Sequence, residues 1–419
     1  MRSLLFIKKI LLYTFYLIII SSVVYLIFFI NTQDPDKKRL RKELRSIVKK
    51  NTIIKHLYND YREEFLPDTQ FIKVNYKKID LDFLNLNGCY FGECYTFFIE
   101  QYEDKIIIIE RGGEIKISSF DNLEVKNPKF QNLDSNLNFE YILDTLVHEN
   151  EIFVTGKNIV GEKTFIEIVK GKYNENEIEF KSIIKLESEG CILRNSVHSG
   201  KIQIFENNKN KILISINSAG QLDEPKLDSL NADSICGKIL LVNAENNNYE
   251  IFSSGHRNII GLYADGNLVL STEHGPFAGD EINKIEKGKK YGWPVVSYGE
   301  KYSRDKKNIN PTYKKSHSDN GFEEPIFSFI PAIGISEIIK LPNNFSNLWQ
   351  NNFLVASLNG KYLYRIKFDN SYNKIIYYEP IYIGDRIRDL IYNVEKKKIY
   401  LALELEGALG IISTYEKKN

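Results

Sequence analysis

From residue 71 onward the sequence is a train of short apolar runs cut by turn residues, and this pattern limits the fold more than any other feature. KIIIIERGGEIKI (105–117), KIQIFENNKNKILISI (201–216), KILLVNAENNNYEIF (238–252), LYADGNLVLST (262–272) and FLVASLNGKYLYRIKF (353–368) each read as paired strands with Asn, Asp, Gly or Lys at the turn. Aromatics make up 13% of the chain, mostly Tyr and Phe, and Ile is frequent; these are the residues that pleated, half-buried surfaces favour. No helix-period segment interrupts the runs. Strands at this even spacing over about 340 residues predict an all-β chain built as a β-propeller rather than a sandwich.

The first seventy residues differ. Ile10–Ile30 (ILLYTFYLIIISSVVYLIFFI) carries no charge for twenty-one residues, enough for a helix to cross a bilayer. It lacks the short apolar core and small-residue cleavage site of a secretory signal, so an uncleaved anchor is expected. Arg2, Lys8 and Lys9 precede it and Lys37, Lys38, Arg39, Arg41 and Lys42 follow it, so charge bias alone does not orient it. Leu40, Leu44, Ile47, Asn51, Ile54, Tyr58, Tyr61 and Phe65 then recur at four- and three-residue steps, an amphipathic helix ending near Pro67. That helix either lies against its surroundings or forms a coiled-coil stalk that would make a homodimer. The expected organisation is a flank at 1–9, a transmembrane anchor at 10–30, a linker with an amphipathic helix at 31–70, and the propeller at 71–419.

Lys and Arg number 56 against 55 Asp and Glu, which leaves no broad basic field for nucleic acid. Cys89, Cys94, Cys191 and Cys236 fit an oxidising setting with up to two disulfides of open connectivity, and Cys89-x4-Cys94 is a poor zinc pattern.

The chemistry-bearing residues fall in four short motifs. GHRN (255–258) follows a strand-like run and groups an imidazole, an Arg and an amide; EHGP-x3-DEIN (273–283) joins three carboxylates to a Gly-Pro turn; YGWP (291–294) follows; and GDRIRDL (384–390) sets Arg386 and Arg388 two apart, on one face if extended. Three arginines converging on one end of a propeller imply an anionic ligand, because guanidinium forks match carboxylates. Carbonyl oxygens of a Gly-Pro turn are hard donors suited to Ca²⁺. A plain alternative is that each arginine pairs with a local acid such as Asp280, Glu281 or Asp389.

In this order the motifs resemble those of the soluble PQQ-dependent glucose dehydrogenases, the glucose/sorbosone dehydrogenase family, over about residues 95–413. The resemblance implies a six-bladed β-propeller holding pyrroloquinoline quinone (PQQ) and Ca²⁺ on one face. It implies Gly275 and Pro276 as carbonyl ligands of the metal, Arg257, Asn258, Arg386 and Arg388 as cofactor contacts, and a second, structural Ca²⁺ near Ser297–Gly299. It further implies hydride transfer from a sugar or related alcohol to the quinone, with a histidine taking the hydroxyl proton and an electron acceptor the sequence does not identify. It also orients the anchor, with the propeller on the extracytoplasmic (periplasmic) side of a single-pass membrane protein.

The chain departs from the family pattern in places. His198, the candidate base, stands one residue late relative to Gly200-Lys201, and a one-residue slip in a strand faces the other way. The lysine expected after Ser357-Leu358 comes two places on, as Lys361. Ile259 and Ile260 stand where the pattern has Pro-Gln. A non-catalytic propeller that binds carbohydrate or a protein is therefore the second reading. A Ca²⁺-dependent hydrolase using Glu273, His274 and Asp280 is weaker, since adjacent strand residues point to opposite faces.

Overall fold

The computed structural model describes residues 69, 72–89, 92–161, 163–188, 191, 200–218, 227–300 and 313–414. Its organisation follows from a single strand. In Lys105–Glu110 four consecutive isoleucines are all buried, whereas a strand facing solvent on one side would alternate. Ile106 and Ile108 pack on one side against Phe97, Tyr400 and Leu409. Ile107 and Ile109 pack on the other against Ile142, Val154 and Phe180. A sheet buried on both faces needs a neighbour on each. The division recurs elsewhere: Leu401 and Tyr400 enter different cores, as do Leu354 and Val355 and Ile214 and Leu213.

Apart from a two-stranded pair, Asn87–Cys89 with Gly92–Cys94, the described strands form antiparallel four-stranded meanders. Five of these run in chain order: 97–135, 141–187, 202–254, 259–329 and 335–382. The first two are joined by a short parallel contact of Glu177 and Ile178 with Asp134 and Ser135. A sixth is completed by both ends of this region: Val74–Asp80 pairs along its whole length with Ala408–Thr414, beside Lys398–Leu403 and Ile387–Asn393. An apolar core fills the space between each meander and the next, and another fills the space between the last and the first. The sheets therefore close a ring, a β-propeller-like architecture as the strand spacing predicts. Among the described residues helix is confined to four three-residue 3₁₀ turns.

The expected single-pass anchor and periplasmic placement are corrected here. Crossing a bilayer takes about twenty apolar residues in one helix, and among the described residues no helix is long and apolar enough to do so. The apolar run 10–30, on which the anchor rested, and the expected amphipathic helix over Leu40–Phe65 lie outside the described residues. Of the cysteines, Cys191 and Cys236 form a disulfide. Cys94 is buried, its Sγ 3.9 Å from Thr96 Oγ1.

The first strands of successive meanders line the inside of the ring, and several of them carry charge. Lys201 is buried between Asp144 and Glu337 and ion-paired to both. Asp144 also accepts the Ile202 N–H at 2.9 Å, and Asp389 accepts the Ile99 N–H at 2.8 Å, so each carboxylate ties its own sheet to the next. Burial opposes a charge on Lys201, but Asp144, Glu337 and Asp389 outweigh it and raise the lysine pKa. Burial, reinforced by Glu337 and Asp144 against the pull of Lys201, pushes Asp389 up to about 7. Lys201→Met leaves this acidic group without its cation and is expected to cost about 3–5 kcal/mol of stability, read as a lowered urea midpoint. An unchanged midpoint would show that the ring does not rely on the cluster.

Candidate functional site

Antiparallel pairing sets the start of each inner strand beside the end of the second strand of its sheet, so short loops from every sheet meet at one end of the ring. Gly255–Asn258 precedes the inner strand Ile259–Asp265, and Glu273 ends the strand paired with it. Glu273 organises this turn. One carboxylate oxygen accepts the N–H groups of Arg257 and Asn258, and the other faces His256 Nδ1 at 3.2 Å. His256 Nε2 lies 2.8 Å from Ser253 Oγ. Ser253, His256 and Glu273 are all buried, and this hydrogen-bonded chain fixes the backbone that carries Arg257 and Asn258.

Two glycines explain why the motifs occur together. Gly255 has φ +80°, and a Cβ there would lie 2.6 Å from the Gly292 amide, so GHRN and YGWP interlock backbone to backbone. A Cβ on Gly299 would lie 2.3 Å from the Ala278 carbonyl and 2.8 Å from the Pro276 ring, which locks the EHGP loop onto the segment after YGWP. Asp280 braces the same loop by accepting the N–H of Gly275 at 3.1 Å and those of Ile333 and Ile335 at 3.0 Å.

His274 is engaged at both nitrogens. Nε2 lies 2.6 Å from the Ile335 carbonyl and therefore carries the proton; Nδ1 is then the acceptor facing the Asn258 amide nitrogen at 3.4 Å. Burial, then Arg257 and Arg388, hold the imidazole below its ordinary pKa against Asp280, and with both nitrogens engaged it braces the loop. The same arrangement leaves Asn258 Oδ1 buried with no hydrogen-bond partner among the described residues. Arg257 donates to the His274 carbonyl at 2.9 Å and stacks over Trp293 at 5.3 Å.

Arg386 and Arg388, at the start of the inner strand Ile387–Asn393, share Glu404: Nε–Oε distances are 3.2 and 2.6 Å. Glu404 also accepts from Thr96 at 3.1 Å. The sequence reading offered Asp280, Glu281 and Asp389 as partners and missed Glu404, which the antiparallel pairing of Ile387–Asn393 with Lys398–Leu403 in the last sheet brings beside 386 and 388. Burial would raise the Glu404 pKa, but Arg388 and Arg386 overcome it and hold the carboxyl below its usual range. That Arg257 and Arg388 both bear on His274 puts the two arginine groups around one region. Arg111, which the sequence reading also passed over, lies with its guanidinium 4.1 Å from the Tyr141 ring and within the field of Arg388.

Gly275, Pro276 and Arg257 line a cavity of about 20 Å³ with Glu273, Glu281 and His317, room for a single water. Glu281 stands directly across the strand pair from Glu273, and burial together with that like charge pushes it up to about 8. Among the described residues no cluster of three or more His, Cys, Asp or Glu is set to hold a metal. Lys361 sits in the left-handed region (φ 62°) at the turn after Ser357, where its carbonyl accepts the N–H groups of Ile383 and Gly384 just before Arg386. Ile259 and Ile260, the departures from the Pro-Gln pattern, are buried strand residues. His198 lies outside the described residues.

The profile of the glucose/sorbosone dehydrogenase family matches residues 98–410. The chain belongs to this family. An uncharacterised Synechocystis protein, slr1608, is 37% identical over 143 residues, covering 34% of this chain and 33% of the relative. The Escherichia coli aldose sugar dehydrogenase YliI is 33% identical over 114 residues, covering 27% and 30%. The matches thus span about a third of the length of these curated relatives. The crystal structure of the soluble aldose sugar dehydrogenase of E. coli superposes with TM-score 0.66 at 19% identity over 82% of this chain and all of that one. The PQQ-bound aldose sugar dehydrogenase of Streptomyces coelicolor superposes with TM-score 0.55 at 16% identity, over 82% of this chain and 99% of that one. At these identities both likenesses concern the fold.

Glu404→Gln removes the counter-charge of two buried guanidinium groups and is expected to cost about 3 kcal/mol at pH 7. The wild-type carboxyl has a lowered pKa in the folded state, so its contribution is present above the ordinary glutamate value of about 4.3 and is lost as pH falls below it. Urea unfolding between pH 3 and 7 should therefore give a shallower acid limb for the variant. Parallel limbs would show that Glu404 is not held ionised by the arginines.

Proposed function

We propose that this family member is a PQQ-dependent dehydrogenase oxidising a sugar or related alcohol, built as a six-bladed propeller with the loop end of the ring as its active face. One observation carries this reading: Arg257 and Arg388 both bear on His274, which faces Asn258, and the buried amide oxygen of Asn258 lacks a partner among the described residues. A polycarboxylate quinone suits this set, since guanidinium groups bind carboxylates as forks and the amide oxygen can accept a donor from the ligand. The S. coelicolor aldose sugar dehydrogenase, whose structure is of the PQQ-bound form, supports the same choice of cofactor.

In this reading Arg386 and Arg388, kept parallel by Glu404, hold the carboxylates, while Arg257 and Asn258 orient the ring system and Lys361 adds a cation from the neighbouring sheet. Gly275 and Pro276 present carbonyl oxygens to Ca²⁺. Two carbonyls fall well short of the six to eight oxygens this ion takes, so the remaining ligands have to come from the bound cofactor and water. The quinone, when bound, supplies the hydride acceptor. His198 is proposed as the base that takes the hydroxyl proton, on its place in the sequence alone; His274 is unavailable, with both its nitrogens engaged.

Titration of PQQ into the protein with Ca²⁺, followed by absorbance, tests the reading. Arg386→Ala with Arg388→Ala is expected to weaken binding by about a hundredfold, from the loss of two charge-assisted contacts, and His198→Ala to abolish dye reduction with binding unchanged. Absence of PQQ binding at micromolar concentration would overturn the proposal. Tight binding without turnover on any sugar would favour the non-catalytic propeller instead.

A further inference from the structure

The family resemblance places a second, structural Ca²⁺ near Ser297–Gly299, and the donor atoms found there do not fit it. Residues 313–315 run alongside the segment that follows YGWP. Val296 and Lys314 form a short parallel bridge, the Ser297 N–H donates to the Lys314 carbonyl at 3.0 Å, and the Lys314 N–H donates to the Val295 carbonyl at 3.1 Å. This register sets Lys315 beside Gly299. Its ammonium donates to the Gly299 carbonyl at 2.7 Å and pairs with the Glu300 carboxylate at 2.7 Å.

Calcium takes six to eight oxygens, and its affinity follows the number of charged ones. The side-chain oxygens around this segment are already engaged. Ser297 Oγ accepts the Gly299 N–H at 3.1 Å. The Tyr298 hydroxyl donates to Glu324 at 2.7 Å, and Glu324 also accepts the N–H and the hydroxyl of Ser318 at 2.8 and 2.9 Å. The Gly299 carbonyl and the Glu300 carboxylate both face the Lys315 ammonium. A dication entering here would meet a lysine cation on the same two oxygens, and like-charge repulsion at such range opposes it.

We infer that Lys315 takes the place of the second Ca²⁺, so that this chain carries one of the family's two cations as part of its own covalent structure. An ammonium is a compact point charge with three donors, which suits a carbonyl and a carboxylate set side by side. What the cation holds is the loop of the proposed active face. Glu300 and Phe277 exchange backbone hydrogen bonds at 2.8 Å each way, and Phe277 directly follows Gly275 and Pro276. Fixing residues 299 and 300 therefore fixes the two carbonyls assigned to the cofactor-associated ion. The inference goes beyond the dehydrogenase reading and does not depend on PQQ.

The test uses the full chain without PQQ, melted in EGTA and in about 10 mM Ca²⁺, enough to fill a site with a Kd of about 1 mM. Wild type should melt at the same temperature in both. Lys315→Gln should melt about 2 °C lower in both, from the loss of a partly exposed ion pair and a carbonyl contact. Lys315→Asp removes the ammonium and sets a second carboxylate beside Glu300 and the Gly299 carbonyl. It should melt lower in EGTA and regain about 2 °C or more with Ca²⁺. A wild type that rises with Ca²⁺ as far as Lys315→Asp overturns the inference, since a second calcium site then coexists with the ammonium. Lys315→Gln melting like wild type in EGTA overturns it as well, because the ammonium then holds nothing, and so does a Lys315→Asp that ignores Ca²⁺. A failed PQQ titration leaves this result standing, and its own failure leaves the dehydrogenase reading untouched.

Discussion

Everything in this molecule depends on the pairing of Val74–Asp80 with Ala408–Thr414. These strands are more than three hundred residues apart in the chain, and together they complete one sheet. Each other sheet is local, so it forms from a contiguous stretch of sequence. The last one cannot, and until it forms, the apolar faces it shares with its two neighbours stay open to water. Burial on both faces of every sheet is the driving force, and closure makes that burial available to all the sheets at once.

Closure also decides where charge can go. The inner strands approach so closely that polar side chains on one sheet meet backbone groups of the next: Asp144 with Ile202, Asp389 with Ile99, Thr155 with the Gly200 carbonyl, Ser336 with the Ile387 carbonyl. Lys201, held between Asp144 and Glu337, belongs to the same set. Apolar packing is tolerant of small slips, whereas a buried ion pair is costly unless its geometry holds. These clamps therefore fix the relative heights of the sheets, and with them the relative positions of Arg257, Arg388 and His274. The geometry of the proposed cofactor site is set by contacts deeper in the ring than the site itself.

The polar loops that look most reactive in the sequence turn out to be braces. Glu273, Asp280 and His274 each bond backbone groups of neighbouring segments, Glu273 and His274 also meeting the His256 and Asn258 side chains, and the glycines of GHRN, YGWP and the 297–299 segment allow backbones to touch. What these braces present is an arginine group, an amide oxygen without a partner among the described residues, and a pair of carbonyls.

The sequence by itself determined the all-β class and the propeller, because strand period and turn residues are local properties and a run such as Ile106–Ile109 already demands two neighbouring sheets. It also singled out GHRN, EHGP and YGWP, which stand within about forty residues of one another and interlock in the fold. The single-pass placement read from the apolar run at 10–30 is corrected, because no helix among the described residues is long and apolar enough to cross a membrane. What only the tertiary structure decided are the partnerships across sheets: Asp280 with Ile333 and Ile335, the pairing of Cys191 with Cys236, and the Lys201 cluster. None of these has a spacing signature, because each depends on how neighbouring sheets stack, and that is set by the closure of the whole ring.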